Sequence, residues 1–315
     1  MNRLTAILGI KYPIIQGGMG NISNAVLTAA VSEAGGLGTI GAGTMTPDEV
    51  EEIIVETKKR TKMAFSLNVA LSVSPYTTEI LKLAVKHRVP VVTLSAGNPS
   101  PFIPKLHATG IKVISVVASV KQAKKAELSG VDILVAEGYE AAGINSSLET
   151  TTLALIPQLI NQVGIPVVAA GGIGDGRGLA AMLALGASGV QMGTRFIVTK
   201  EAPFHEVYKQ KILMANDHDT VIVGRTVGRI RRLLHTPYAT QLLEAEGNGI
   251  SIDQFAELTS EEKHKIGALE GKEHSGFMNG GQVSGLIEDI PSVEELLTRM
   301  MTEAKAQLMN AMEWI

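Results

Sequence analysis

The chain has 315 residues, 45% of them hydrophobic and 19% charged, which supports one large α/β domain or two medium ones and excludes global disorder. A net charge of −3 argues against a nucleic-acid-binding surface, which has to be basic. The absence of cysteine excludes disulfides, thiolate zinc sites and a cysteine nucleophile. No apolar run is long enough for a signal-peptide core or a membrane span, so a soluble cytoplasmic protein without membrane partners is expected.

Eight short apolar, β-rich runs follow one another through the first two thirds of the chain. They are residues 13–19 (PIIQGGM), 37–42 (LGTIGA), 64–71 (AFSLNVAL), 89–97 (VPVVTLSAG), 112–119 (KVISVVAS), 131–138 (VDILVAEG), 165–172 (IPVVAAGG) and 188–196 (SGVQMGTRF). Between them lie segments with apolar residues at three- and four-residue spacing, such as 25–35, 46–60 and 119–130. Thr46 followed by Pro47 reads as an N-cap with proline at the first helical position. Strands alternating with helices pair in parallel, and runs apolar on both faces are strands covered by helices. Eight such units in about 200 residues predict an α/β fold, a (β/α)₈ TIM barrel, with a doubly wound open sheet as the alternative.

Residues 200–289 are richer in charge and show no clean strands. Residues 292–312 then form one long amphipathic helix pattern, read as the eighth barrel helix. The expected organisation is therefore a barrel from residues 1–199 and 290–315, with a smaller inserted domain, 200–289, over the barrel mouth as a lid or substrate wall.

Nearly every predicted strand ends in glycine or a small residue on the side where barrel active sites lie. The ends of the seventh and eighth runs, with Gly171, Gly172, Gly193 and Thr194, have the position and composition of a phosphate site made from backbone N–H groups, although ordinary tight turns would read the same way. The run 174–178 (GDGRG) has the wrong spacing and place for a dinucleotide fingerprint. Gly17, Gly18 and Gly20 let a flat ring approach the backbone, with Met19 as a soft apolar contact. Asn68 and Asn98 end the third and fourth runs, where each is either a ligand contact or a turn cap. Glu137 ends the sixth and requires partners if buried, whereas Glu140 reads as solvated or capping. His87 and His107 fall in predicted helices, and His205, His218, His235, His264 and His274 in the insertion; each is expected at the surface. None forms an HxxxH pair, so no metal site is expected.

Several ordered stretches resemble the flavin-dependent nitronate monooxygenases and the related enoyl-acyl-carrier-protein reductase II. They are YPIIQGGM, AVSEAGGLGTIGAG, FSLNV, VPVVTLSAGNP, VAEGYEAAG, IPVVAAGGIGDGRG and VQMGTRF, joined by LLHTPYA (233–239) and SGFMNGGQVSGLIEDI (275–290) in the insertion. The resemblance implies an FMN-binding barrel. Gly171, Gly172, Gly193 and Thr194 would hold the phosphate, and Gly18, Met19, Asn68, Glu137 and Gln191 the ring and ribityl chain. Met278 and Gln282 would lie on the lid near the flavin. NADH or NADPH is the implied co-substrate, with a small-molecule or acyl-thioester substrate, and a homodimer is among the expected assemblies.

The pattern is broken at one place. Where the family carries a histidine after the sixth strand, this chain reads Glu140-Ala141-Ala142-Gly143-Ile144. Isoleucine cannot carry a proton, and the neighbouring Asn145 is a candidate substrate contact but no base. The leading expectation is therefore an FMN-dependent oxidase of alkyl nitronates, whose already ionised substrate needs no base. NAD(P)H-dependent enoyl reduction is the alternative, along with other flavin-dependent NAD(P)H oxidoreductions. Outside the enzymatic flavin class stand a flavin-free phosphosugar lyase or isomerase and a non-catalytic flavin-binding protein.

Overall fold

All eight predicted runs are strands: Ile14–Gln16, Gly38–Gly41, Phe65–Ala70, Val91–Ser95, Lys112–Val117, Ile133–Glu137, Val167–Ala170 and Gly189–Met192. They lie parallel in one sheet and in chain order, and the first strand also pairs with the eighth through Ile15 and Gln191. A parallel bridge between Ile15 and Leu37 joins the first strand to the second, with Gln16 N–H donating to the Leu37 carbonyl at 2.9 Å. The ring is thereby closed into a (β/α)₈ barrel, which excludes the open-sheet alternative. The structure, a computed structural model, describes residues 2–313. Met1, Trp314 and Ile315, at the extremes of the two predicted barrel segments, lie outside the described residues.

The runs lack polar–apolar alternation because both faces are buried. Ile14, Ile40, Leu67, Val92 and Leu134 face the helices, whereas Ile15, Leu37, Val91, Ile114, Ile133 and Val168 fill the barrel interior. The short helix Arg3–Leu8 stoppers the bottom with Leu4 and Leu8, and Asn2 caps it while donating to the Ser188 carbonyl at 2.8 Å. Thr46 caps Pro47–Arg60 with proline in its first turn, as the Thr-Pro pair predicted, and Glu49 closes a reciprocal capping box.

Residues 200–289 contain four α-helices, Glu206–Leu213, Pro237–Gly247, Ile252–Leu258 and Glu261–Ala268, around a core of Val223, Leu233, Tyr238, Leu242, Phe255 and Phe277. The expectation of no clean strands there is corrected. Thr220–Val223 and Arg231–Leu234 form an antiparallel pair, extended by Gly143–Ile144 from the loop after the sixth barrel strand. These strands have only four residues each, and one begins with two arginines, so no periodicity could announce them. In this sheet Arg231 stands opposite Ile144 and Arg232 opposite Gly143.

Helix Val293–Met312 completes the barrel by packing against Gly176–Ala184 and Ala25–Glu33. Gly176 is where the first two of these helices touch: a Cβ there would stand 2.7 Å from the Met300 carbonyl oxygen. The GDGRG run is thus a packing and capping device, with Asp175 accepting from the Gly178 N–H at 2.9 Å.

Candidate active site

A cavity of about 770 Å³ opens at the C-terminal ends of the strands. Gly18, Met19, Asn68, Glu137, Gly171, Gly172, Gln191, Gly193 and Thr194 all line it, together with Ile144 and Asn145. Each is delivered by a strand end or loop that the barrel aims at the mouth. A Cβ on Gly18 would meet the Asn68 Oδ1 at 2.7 Å, so glycine lets the first loop lie on that amide. The amide is oriented by donation from Nδ2 to the Thr93 carbonyl at 3.3 Å and to Ser95 Oγ at 3.2 Å, which leaves Oδ1 as an acceptor. Asn98, by contrast, is a turn cap, accepting from the Ser100 N–H at 3.3 Å and the Ser100 hydroxyl at 2.8 Å. Glu140 also caps, accepting from the N–H and hydroxyl of Thr152.

Glu137 is different. Burial pushes its carboxyl up to about 7, and no donor or cation among the described residues offsets that burial. A half-buried carboxyl on a cavity wall without protein partners is a site for a ligand hydroxyl or amide. Gly171 and Gly172 take φ of 101° and 74°, and Gly193 has open space where a Cβ would stand. Among the described residues the N–H groups of Gly172 and Gly193 donate to no acceptor. Thr194 Oγ1 accepts from the Gly281 N–H at 3.1 Å and keeps its own proton to donate. Buried Arg195 holds this loop in place by donating to the Asp289 carboxylate at 2.7 Å and to the Asp289 carbonyl at 3.2 Å.

Three sequence expectations need adjustment. The first concerns the lid. Met278 does not line the cavity: it is fully buried in the main core, and its carbonyl accepts from the Leu234 N–H at 2.9 Å. Gln282 is exposed, and its N–H donates to the Glu140 carbonyl at 3.0 Å. The residues of that segment on the cavity wall are Asn279, Gly281 and Val283. The second is Asn145, which spends its amide donors on its own loop, to the carbonyls of Ala141 at 2.8 Å and Gly143 at 3.3 Å.

The third is His264, expected at the surface. Only 3% exposed, it lines the cavity and stacks on Phe277 with centroids 5.1 Å apart. Its Nε2 lies 3.1 Å from Asn279 Nδ2, and its Nδ1 lies 3.8 Å from Glu261. Burial alone would raise the Glu261 carboxyl, but His264, the Asn21 N–H and Arg231 hold it below its ordinary range. Arg231 completes this wall, its guanidinium over the Phe277 ring at 5.7 Å. Nothing in the charged helical stretch EEKHKIGA marked its histidine as buried, because the helix Glu261–Ala268 turns that face toward the barrel only in three dimensions.

The closed barrel, glycine-lined mouth and buried polar wall define a barrel enzyme with its site at the C-terminal face. The sequence model described as nitronate monooxygenase matches residues 1–79 and 71–303. The chain belongs to the nitronate monooxygenase family and is a flavin-dependent oxidoreductase. It is 33% identical to a probable nitronate monooxygenase of Staphylococcus haemolyticus, covering 98% of both chains. It is 32% identical to (3aS,4S,5R,7aS)-5-hydroxy-7a-methyl-1-oxo-octahydro-1H-indene-4-carboxyl-CoA dehydrogenase of Rhodococcus jostii, covering 96% of this chain and 95% of the other. The solved structure of FabK from Thermotoga maritima superposes with a TM-score of 0.95 at 41% identity, covering 100% of this chain and 99% of that one. No helix among the described residues is long and apolar enough to cross a membrane.

Proposed function

We propose that the cavity binds FMN and that the protein uses NADH or NADPH to reduce the 2-enoyl double bond of an acyl thioester. The observation carrying this reading is the likeness to FabK, an enoyl-acyl-carrier-protein reductase II, which runs through residues 200–289 as well as the barrel. That segment walls the mouth and so meets the substrate. We take residues 1–199 and 290–315 as the flavin barrel and 200–289 as the lid.

The fit to FMN rests on this chain's own groups. The unengaged N–H groups of Gly172 and Gly193, the turn at Gly171 and the Thr194 hydroxyl form a neutral cradle for a phosphate. Glu137 would accept from a hydroxyl of the ribityl chain. Asn68 Oδ1 would accept from a ring N–H, and Gly18 and Met19 would lie against the ring, with the Gln191 side chain packed on Gly17. When bound, the flavin supplies a two-electron carrier between nicotinamide and substrate. The protein's part is to hold both partners against it and exclude water.

Purified protein reconstituted with FMN, then mixed rapidly with NADH or NADPH and with crotonyl thioester, tests the reading. Bleaching by one nicotinamide and return of the yellow colour on adding the thioester under anaerobic conditions is the expected result. Return of colour with oxygen but never with the thioester would overturn it. Oxidation of alkyl nitronates is the second reading. It is favoured by Ile144, which offers no base and suits a substrate already ionised, and by the staphylococcal relative.

A further inference from the structure

Arg231 is a cation without a partner among the described residues. Its side chain is surrounded by protein and opens only partly, onto the cavity. Burial pulls its pKa down and the charge of Glu261 opposes this, but no described carboxylate lies within ion-pair distance and no hydrogen bond stabilises it. The guanidinium carbon stands 5.7 Å from the centre of the Phe277 ring, and the residue lines the cavity, where its unengaged N–H donors can meet a ligand. The neighbouring arginine shows what a structural role looks like in the same strand: Arg232 donates to the Tyr139 carbonyl at 3.1 and 3.0 Å and to Thr220 Oγ1 at 3.2 Å. A buried guanidinium with idle donors is costly unless something else supplies the acceptor.

We infer that Arg231 is the anion receptor of the substrate site and takes a planar oxyanion, two oxygens on one centre, through its guanidinium edge. The inference rests on the cavity being the substrate site and goes with the second reading above, since a nitronate carries two oxygens on one nitrogen and an enoyl thioester carries no such group. A rigid fork matches carboxylate-like geometry bidentately, which an ammonium does not. The charge of Glu261 nearby disfavours a dianion more than a monoanion, so a phosphate is the poorer ligand. Cross-strand pairing places Arg231 opposite Ile144, and both residues line the cavity.

Calorimetric titration of the FMN-loaded protein with sodium acetate at constant ionic strength, and separately with inorganic phosphate, decides the matter. Saturable acetate binding is expected, weakened at least tenfold by Arg231→Gln and less by Arg231→Lys, with phosphate weaker than acetate. Equal acetate binding by wild type and Arg231→Gln would overturn the assignment, as would tighter binding of phosphate. If Arg231→Gln does not fold, unchanged acetate affinity in Arg231→Lys would overturn it equally. Acetate binding is read without turnover, so failure to reduce enoyl thioesters would sink the proposed reaction and leave the receptor standing.

Discussion

Gly193 has room for a side chain that no protein atom occupies. Its φ of −112° is open to any residue, and a Cβ would meet nothing within 4 Å. Gly193→Ala should therefore fold with unchanged stability, within about 0.5 kcal/mol. The added methyl projects where the phosphate is proposed to sit, so FMN affinity should fall at least tenfold. Fluorescence titration of the apoprotein with FMN, beside thermal melts, checks both halves, and full retention of affinity would remove Gly193 from the cradle. Residues like this one were legible from composition, because glycine at the end of a seventh or eighth strand has few reasons to be there. Arg231 and His264 were not legible. Their residue types are ordinary at a surface, and only the packing of residues 200–289 over the barrel turns them inward.

At the scale of elements, the two-residue strand Gly143–Ile144 pairs the loop after the sixth barrel strand with Arg231–Leu234, and it holds the position where the resemblance implies a histidine. Ile144 is 46% exposed on the cavity, so Ile144→His should cost less than about 0.5 kcal/mol. By restoring a proton carrier it should raise activity on neutral nitroalkanes relative to their nitronates. A steady-state ratio unchanged from wild type would show that the position does not handle protons. The contact between Gly176–Ala184 and Val293–Met312 is a second element-level test. A methyl on Gly176 would press on the backbone of the long helix, so Gly176→Ala should lower stability by about 1–3 kcal/mol in urea titration. The long helix was readable from its period and the eight strands from their spacing. The short lid strands were not, since four residues with two leading arginines carry no usable pattern.

For the molecule as a whole, Glu137 links the site to stability. Its carboxyl titrates near 7 in the fold against an ordinary 4.5, so between those values the folded protein holds a proton that the unfolded chain has released. The stability it contributes is full below the unfolded value and is lost as pH rises through the folded one. In the apoprotein, Glu137→Gln should therefore gain on wild type by on the order of 1–3 kcal/mol between about pH 4.5 and about pH 8. Parallel melting curves across that range would show that the carboxyl is not strained by burial, and bound FMN should narrow the gap by supplying a donor.

The sequence by itself determined the barrel, because eight doubly buried strands separated by helices have few other ways to bury both faces. It also determined the glycine-lined mouth, since those loops need backbone approach and positive φ. Tertiary structure alone decided which polar groups of residues 200–289 face the cavity. Helix Glu261–Ala268 docks on the first loop through Glu261 and the Asn21 N–H at 3.2 Å, and that docking, not local pattern, buries His264. The same assembly sets Arg231 against Ile144 and leaves its charge unpaired among the described residues. Burial of a polar group depends on what packs over it, and the chain's local order carries no record of that.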